Sequence, residues 1–254
     1  MIDIHCHILP GMDDGAKHMS ETLSMAKKAV EEGIDTIIAT PHHKNGKYEN
    51  SKAKIIKSVR EVNEELQKEG IHLKILPGQE PAIRGELIED YENGGILTLA
   101  ETKYVFIELP SGYVPGYTEK LLYDVQMKGL IPIIVHPERN AGFIERPELL
   151  YQLIKNGALS QVTAASVTGH FGKKIKGFTH QLIEANLTHF VASDAHNHKT
   201  RPFKMVEALD SIEASYGVDM VYLFTENAAL LVENMNVMKE IPGRVQRKKF
   251  LGLF

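Results

Sequence analysis

Residues 1–15 read MIDIHCHILPGMDDG. Ile2, Ile4, Cys6 and Ile8 alternate with Asp3, His5 and His7. Successive side chains of a strand face opposite ways. The alternation predicts that His5 and His7 share one face, with Asp3 behind them, and that Cys6 faces away. Two imidazoles on one face of a strand end are candidate metal ligands. Asp13 and Asp14 follow in a glycine-flanked turn. Asp13 is expected to be a turn residue, and Asp14 joins the candidate ligands.

Outward from this strand, short apolar runs alternate with amphipathic stretches. Strands are expected over 2–5, 36–40, 73–76, 105–109, 131–135, 159–163 and 189–192. Helices are expected from Ser20, as N-cap, to Gly33, then over 51–69, 118–128, 147–156, 173–185 and 203–216. Alternating strands and helices imply a parallel sheet. Seven such strands point to an α/β barrel of the TIM kind. A doubly wound open sheet is the alternative, but no Gly-rich nucleotide loop follows the first strand. The pattern fades after about Met235 into a basic tail, giving a barrel domain at 1–234 and a tail at 235–254.

Barrel chemistry sits where strands end. The first strand ends at His5 and His7, with Asp14 nearby, and the second in TPHH, with His42. The third is followed by PGQEP, with Glu80, and the fourth runs VFIELP, with Glu108. The fifth runs IIVHPER, with His136 and Arg139. The seventh runs FVASDAH, with Asp194 and His196, and Arg201 follows. Only the sixth, near Thr163–Ser166, lacks a metal-type ligand. Nine candidates exceed one ion's capacity, so two or three ions sharing carboxylates are expected. Four carboxylates against three divalent ions leave a positive excess, with room for an anionic substrate. Imidazole and carboxylate without thiolate suit manganese, iron or zinc.

Composition narrows the classes further. The chain has 254 residues, 43% of them hydrophobic, enough for a sizeable core. Twenty-nine basic against 33 acidic residues leave −4, which argues against a nucleic-acid partner. No stretch resembles a signal peptide or a membrane span, so membrane insertion is not expected. One cysteine fits a reducing cytoplasm.

The motifs MIDIHCHILPGMDDGA, IIATPHHKNGKY, GQE, HPER and SDAH resemble the polymerase and histidinol phosphatase (PHP) superfamily. Within it they look like the metal-dependent tyrosine phosphatases of Gram-positive bacteria encoded with capsule or exopolysaccharide genes. The resemblance runs from Met1 to about Asn234. It implies a distorted (β/α)₇ barrel, a trinuclear centre usually holding Mn2+, and hydrolysis of phosphotyrosine in proteins. The implied substrate is a partner bacterial tyrosine kinase controlling polysaccharide synthesis. Carried over by motif, His5, His7, Glu80 and Asp194 resemble ligands of one metal, and Glu80, Glu108 and His136 those of a second. Asp14, His42 and His196 resemble those of a third. Arg139 and Arg201 look like the phosphate-handling arginines.

Cys6 is not expected to be a nucleophile. A C-x₅-R phosphate loop would need arginine where Met12 stands. Divalent ions instead bring the pKa of a bound water towards about 7. A tyrosine leaving group, with a conjugate acid near pKa ~10, needs less acid assistance than serine. His43 is expected to face away from His42, and His18, His72, His170, His180, His189 and His198 to be surface or loop residues. Lys44, Arg84, Tyr48, Tyr113 and Tyr117 are candidates for the substrate path or the barrel rim. The tail's Arg244, Arg247, Lys248 and Lys249, followed by Phe250, Leu251, Leu253 and Phe254, are expected to pack on the barrel or fray, the alternative being to dock an acidic partner or touch a membrane surface. Rival activities are hydrolysis of a small phosphate ester such as histidinol phosphate, 3′–5′ exonuclease proofreading, and metal-stabilised binding without catalysis.

Overall fold

The computed structural model describes residues 1–246; the tail residues from Arg247 onward lie outside the described residues. Among the described residues nine strands form: β1 (Ile2–Cys6), β2 (Thr36–Ala39), β3 (His42–His43), β4 (Lys74–Pro77), β5 (Glu80–Pro81), β6 (Tyr104–Ile107), β7 (Ile131–Val135), β8 (Leu159–Thr163) and β9 (Phe190–Ala192). All pairings are parallel, in the orders β1-β2-β4, β3-β5 and β6-β7-β8-β9. β3 and β5 resume β2 and β4 two residues on, so the strand lines number seven. At the rim, bridges Ala82–Glu108 and Cys6–Ala195 join the two seams. The amide of Asp194 donates to His5 O at 2.8 Å and that of His7 to Ala195 O at 2.9 Å.

Among the described residues ten α-helices form, the first eight between strands and the last two after β9: α1 (Met19–Glu31), α2 (Lys52–Lys68), α3 (Leu87–Glu92), α4 (Thr118–Met127), α5 (Ala141–Glu145), α6 (Pro147–Lys155), α7 (Ala164–Thr168), α8 (Lys173–Glu184), α9 (Met205–Tyr216) and α10 (Val218–Val232). Ser51 caps α2, its hydroxyl accepting from Lys54 N. Helix α1 starts one residue before Ser20, with His18 at the N-cap. There the Glu21 carboxylate takes the amide of Lys17, just before the helix, at 2.7 Å, and no side chain caps the first-turn amides.

Two apolar layers follow from strand alternation. Ile37, Ala39, Val105, Ile107, Ile134, Val162 and Val191 face outward and pack under the helices. Ile4, Ile38, Tyr104, Phe106, Ile133, Val135, Leu159, Phe190 and Ala192 fill the inside. Helix α10, absent from the sequence reading, supplies Ala228 and Leu231 to this inner cluster, and Val237 follows them. Its apolar residues are spread round the helix, leaving little 3.6-residue contrast. Tyr104 donates its hydroxyl to Met235 O at 2.6 Å, and Arg244 pairs with Glu148, so the chain after α10 also packs on the barrel.

The first strand departs from simple alternation. Asp3 pairs with Ile37 but Cys6 with Ala39, so β1 spends one more residue than β2. This bulge turns both Ile4 and His5 inward. Asp3 stays opposite outward-facing Ile37 and does not share the face of His5. Its carboxylate takes the His5 amide at 3.3 Å and the Ser193 amide at 2.9 Å. Bulges at barrel rims re-aim a side chain in this way. Cys6 faces away from the histidines as expected and is fully buried; burial pushes its thiol up. His189 is a second correction. It is 4% exposed, and its Nδ1 accepts the Ser160 amide at 3.2 Å.

Candidate metal centre

The rim brings the candidate residues of six strand lines together. His5 Nε2 and His7 Nε2 lie 3.3 Å apart, and Glu80 Oε2 lies 3.4 and 3.3 Å from them. Donors held about 2.1 Å from one tetrahedral ion stand about 3.4 Å apart, so this triangle has the size of a coordination face. Asp194 Oδ1 lies 3.6 Å from His5 Nε2 and 3.3 Å from His7 Nε2. Asp14 Oδ1 lies 3.5 Å from both His42 Nε2 and His196 Nε2. His42 Nδ1 sits 2.9 Å from Glu80 Oε2 and 3.4 Å from Glu108 Oε2.

Three overlapping donor sets result, the atoms of each lying within 4.8 Å of one another: His7, Asp14, His42 and His196; His5, His7 and Glu80; His42, Glu80 and Glu108. His42, not His136, is thus the imidazole grouped with Glu80 and Glu108. His136 Nε2 instead meets the other Glu80 oxygen, Oε1, at 2.9 Å. His7 has only Nε2 to offer, because Asp13 Oδ2 holds its Nδ1 at 2.7 Å.

Local backbone explains why these side chains converge. His136 directly follows β7 and Asp194 lies just past β9, with φ of 36° and 51°. Left-handed backbone at a non-glycine residue is costly and clusters at functional sites. Gly15 permits the Asp13–Asp14 turn to lie against the first strand, since a Cβ there would stand 2.0 Å from His7 O.

A ring of orienting groups surrounds the donors. Asp13 accepts from Gly15 N at 2.9 Å, as a turn residue does, but its other oxygen holds His7 and takes His42 N at 3.0 Å. Gln161 Oε1 meets His5 Nδ1 at 2.8 Å. The sixth strand therefore contributes an orienting amide where it lacks a ligand. Such partners fix an imidazole's tautomer and direction. Asp13 and Gln161 escaped the sequence reading. The doubled acid of DDG was the available signal for Asp13; Gln161 had none. His43 turns away, its Nδ1 accepting from Asn50 N at 3.2 Å.

Charge points to cations. Burial opposes ionisation of Glu80 and Asp194, yet neighbouring histidines and arginines hold both well below the usual carboxylate range. Burial lowers His42, but Glu80 and Glu108 outweigh it and push it up to about 10. Protons on such imidazoles balance the acids in the chain alone. Burial, then Arg139, pulls His136 down to about 4; burial, then His7, does the same to His196. His42 Nδ1, Glu80 Oε2, Glu108 Oε2 and His196 Nε2 are buried without a hydrogen-bond partner. Four orphaned polar atoms facing one another are costly unless something satisfies them. The donor set and these orphans fit divalent cations.

A cleft of ≈ 520 Å³ opens onto the donors. One wall carries Arg139 and Arg201, whose Nη2 atoms both reach Asp194 Oδ2, at 2.5 and 3.0 Å. Ala82, Ile83, Leu109, Pro110 and Phe143 form an apolar wall. Tyr48 stacks on His42 with ring centroids 6.1 Å apart. Lys44 and Arg84 are engaged with Asp90, and Tyr113 and Tyr117 are exposed.

The chain is 51% identical, over the full length of both, to the tyrosine-protein phosphatase YwqE of Bacillus subtilis strain 168. It is 39% identical, again over the full length of both, to a putative tyrosine-protein phosphatase CapC of Staphylococcus aureus. The fold superposes with a TM-score of 0.95 on a crystal structure from a study of YwqE and of CpsB from Streptococcus pneumoniae, described as unique metal-dependent tyrosine phosphatases. That match is 51% identical and covers 97% of this chain and 100% of the other. The family model for capsular polysaccharide synthesis, CpsB/CapC, matches residues 1–233, and with relatives this similar along its whole length the chain belongs to that family.

Proposed function

We propose that this chain is a metal-dependent protein-tyrosine phosphatase acting in capsule or exopolysaccharide synthesis. The observation that carries the reading is a single cleft in which orphaned imidazole and carboxylate atoms face two arginines across an apolar wall. The relatives' names supply the substrate class.

Three donor sets accommodate three cations, with manganese as the expected ion. His5, His7, Glu80 and Asp194 would hold the first, and Asp14, His196 and His42 the third, through His42 Nε2; the second would lie between Glu80 and Glu108, beside His42 Nδ1, with His136, now on Glu80 Oε1, completing it. Cations there supply Lewis acidity, which neutralises phosphoryl charge and makes hydroxide available near neutral pH. Arg139 and Arg201 offer planar forks to the phosphoryl oxygens, and Asp194 Oδ2 restrains both before substrate arrives. Ile83, Leu109 and Phe143 seat the tyrosyl ring and keep water from it. The phenolate's conjugate acid, near pKa ~10, lets it leave without a strong general acid. The natural substrate would be the phosphorylated tail of a bacterial tyrosine kinase, met in the cytoplasm. Among the described residues no helix is long and apolar enough to cross a membrane.

The test is metal analysis of the purified chain paired with hydrolysis of a phosphotyrosine peptide before and after chelation. Activity that disappears with the cations and returns with manganese is expected; undiminished hydrolysis by the stripped chain refutes the reading. A higher kcat/KM on histidinol phosphate than on the peptide would move the substrate to a small ester.

A further inference from the structure

Arg139 is the better-placed arginine of the cleft, and what holds it is not its ion pair alone. Arg201 meets the same Asp194 oxygen, so two guanidinium cations crowd one acceptor and repel each other. Arg139 Nε is buried without a hydrogen-bond partner. The side chain therefore needs support from elsewhere, and two residues outside the metal donors provide it.

Glu138 is fully buried, although it lies between a candidate ligand and an arginine. Its Oε1 accepts from Thr163 N at 3.0 Å and from Ser166 Oγ at 2.6 Å. Those two groups stand at the end of β8 and in the first turn of α7. The carboxylate thus ties the single helical turn Pro137–Arg139 to the next strand line. That turn leaves β7 through the left-handed backbone of His136, a conformation that reverts unless its surroundings hold it.

Phe171 lies in the short connection between α7 and α8, with Gly169 and Gly172 on either side at φ of 92° and 95°. The connection bends so that the Phe171 ring faces the guanidinium, Cζ to ring centroid 5.4 Å. An arginine stacked on an aromatic face is fixed in plane as well as in place. His170, beside it, sets Nε2 3.0 Å from Thr200 O, which anchors the connection to the segment leading to Arg201.

We propose that Glu138 and Phe171 are the positioning residues of Arg139: the first fixes the turn that presents the side chain, the second fixes the plane of its fork against the phosphoryl group. The proposal rests on the phosphate-handling role of Arg139 given above. In the metal-loaded full chain, Phe171→Leu lowers kcat/KM for p-nitrophenyl phosphate about three- to tenfold, and Phe171→Tyr, which keeps the ring, restores it. Glu138→Ala costs more than Glu138→Gln, which keeps a carbonyl for Thr163 N. Bound manganese stays at the wild-type level in all four. The deciding measurement is a double-mutant cycle with Arg139→Ala. Losses that vanish once Arg139 is gone support the proposal. Losses that persist unchanged in the Arg139→Ala background overturn it and leave the role of Arg139 standing. Wild-type turnover in Arg139→Ala by itself instead brings down that role, and the positioning with it.

Discussion

The two ends of this barrel are built from opposite materials. Where the strands begin, Tyr104, Leu159 and Phe190 meet Leu231 of α10 and Val237 in an apolar plug. Where they end, the strand lines deliver His5, His42, Glu80, Glu108, His136, Asp194 and His196, and four buried atoms of His42, Glu80, Glu108 and His196 lack partners. One end stores stability and the other withholds it until cations arrive. Polar groups left unsatisfied at one end are affordable because the apolar end is well filled.

The sharpest way to break this contrast is Glu80→Ala, which removes the carboxylate common to two donor sets. Turnover of a phosphotyrosine peptide should fall at least about a thousandfold and the bound-metal count should drop, while the fold persists. A variant that keeps all its metal and activity would dissolve the distinction between the ends. The converse change is Leu231→Ala. It should cost about 2–5 kcal/mol in unfolding free energy yet leave kcat per folded molecule unchanged; a fall in kcat at constant stability would show the ends to be coupled. Asp13→Asn probes the layer behind the donors. Losing the carboxylate on His7 Nδ1 should weaken manganese binding about 10–100-fold, read by competition with a chelator, and wild-type affinity would remove Asp13 from the site.

The last test is a pH slope. Burial, then Lys239, holds His189 down at about 3 in the folded chain, against about 6.5 unfolded. Above about pH 6.5 the ring is neutral in both states and contributes nothing. Between pH 6.5 and 3 the unfolded chain takes up a proton that the folded chain refuses, so stability falls as pH falls, by up to about 1.4 kcal/mol per pH unit. His189→Gln should flatten that slope in acid denaturation of the chelated protein. Parallel curves for the two proteins would mean the ring is accessible.

The contrast also explains what the sequence could disclose. His5, His7, Glu80, Glu108, His136 and Asp194 were legible because parallel strands carry their last residues to one rim, and chemical type can be read one strand at a time. The bulge in β1 was not, because IDIHC alternates faultlessly and the extra residue emerges only in register against β2. Asp13 and Gln161 act through Nδ1 of histidines 6 and 156 residues away, a relation with no period. His189 looked like a polar loop residue, but its amide partner on β8 draws it inside. Helix α10 escaped because a helix that plugs a barrel is apolar on too many sides to show a stripe.

The seam between the first and last strand lines is thin: one bridge, Cys6–Ala195, and the hydrogen bonds beside it. Asp14 and His196 lie on opposite sides of that seam and face each other across 3.5 Å. An ion gripped by both would act as a clasp, so chelation should speed solvent exchange of the His7 and Asp194 amides more than that of amides buried in β7 or β8. Metal depletion would then unzip the protein from one chosen edge.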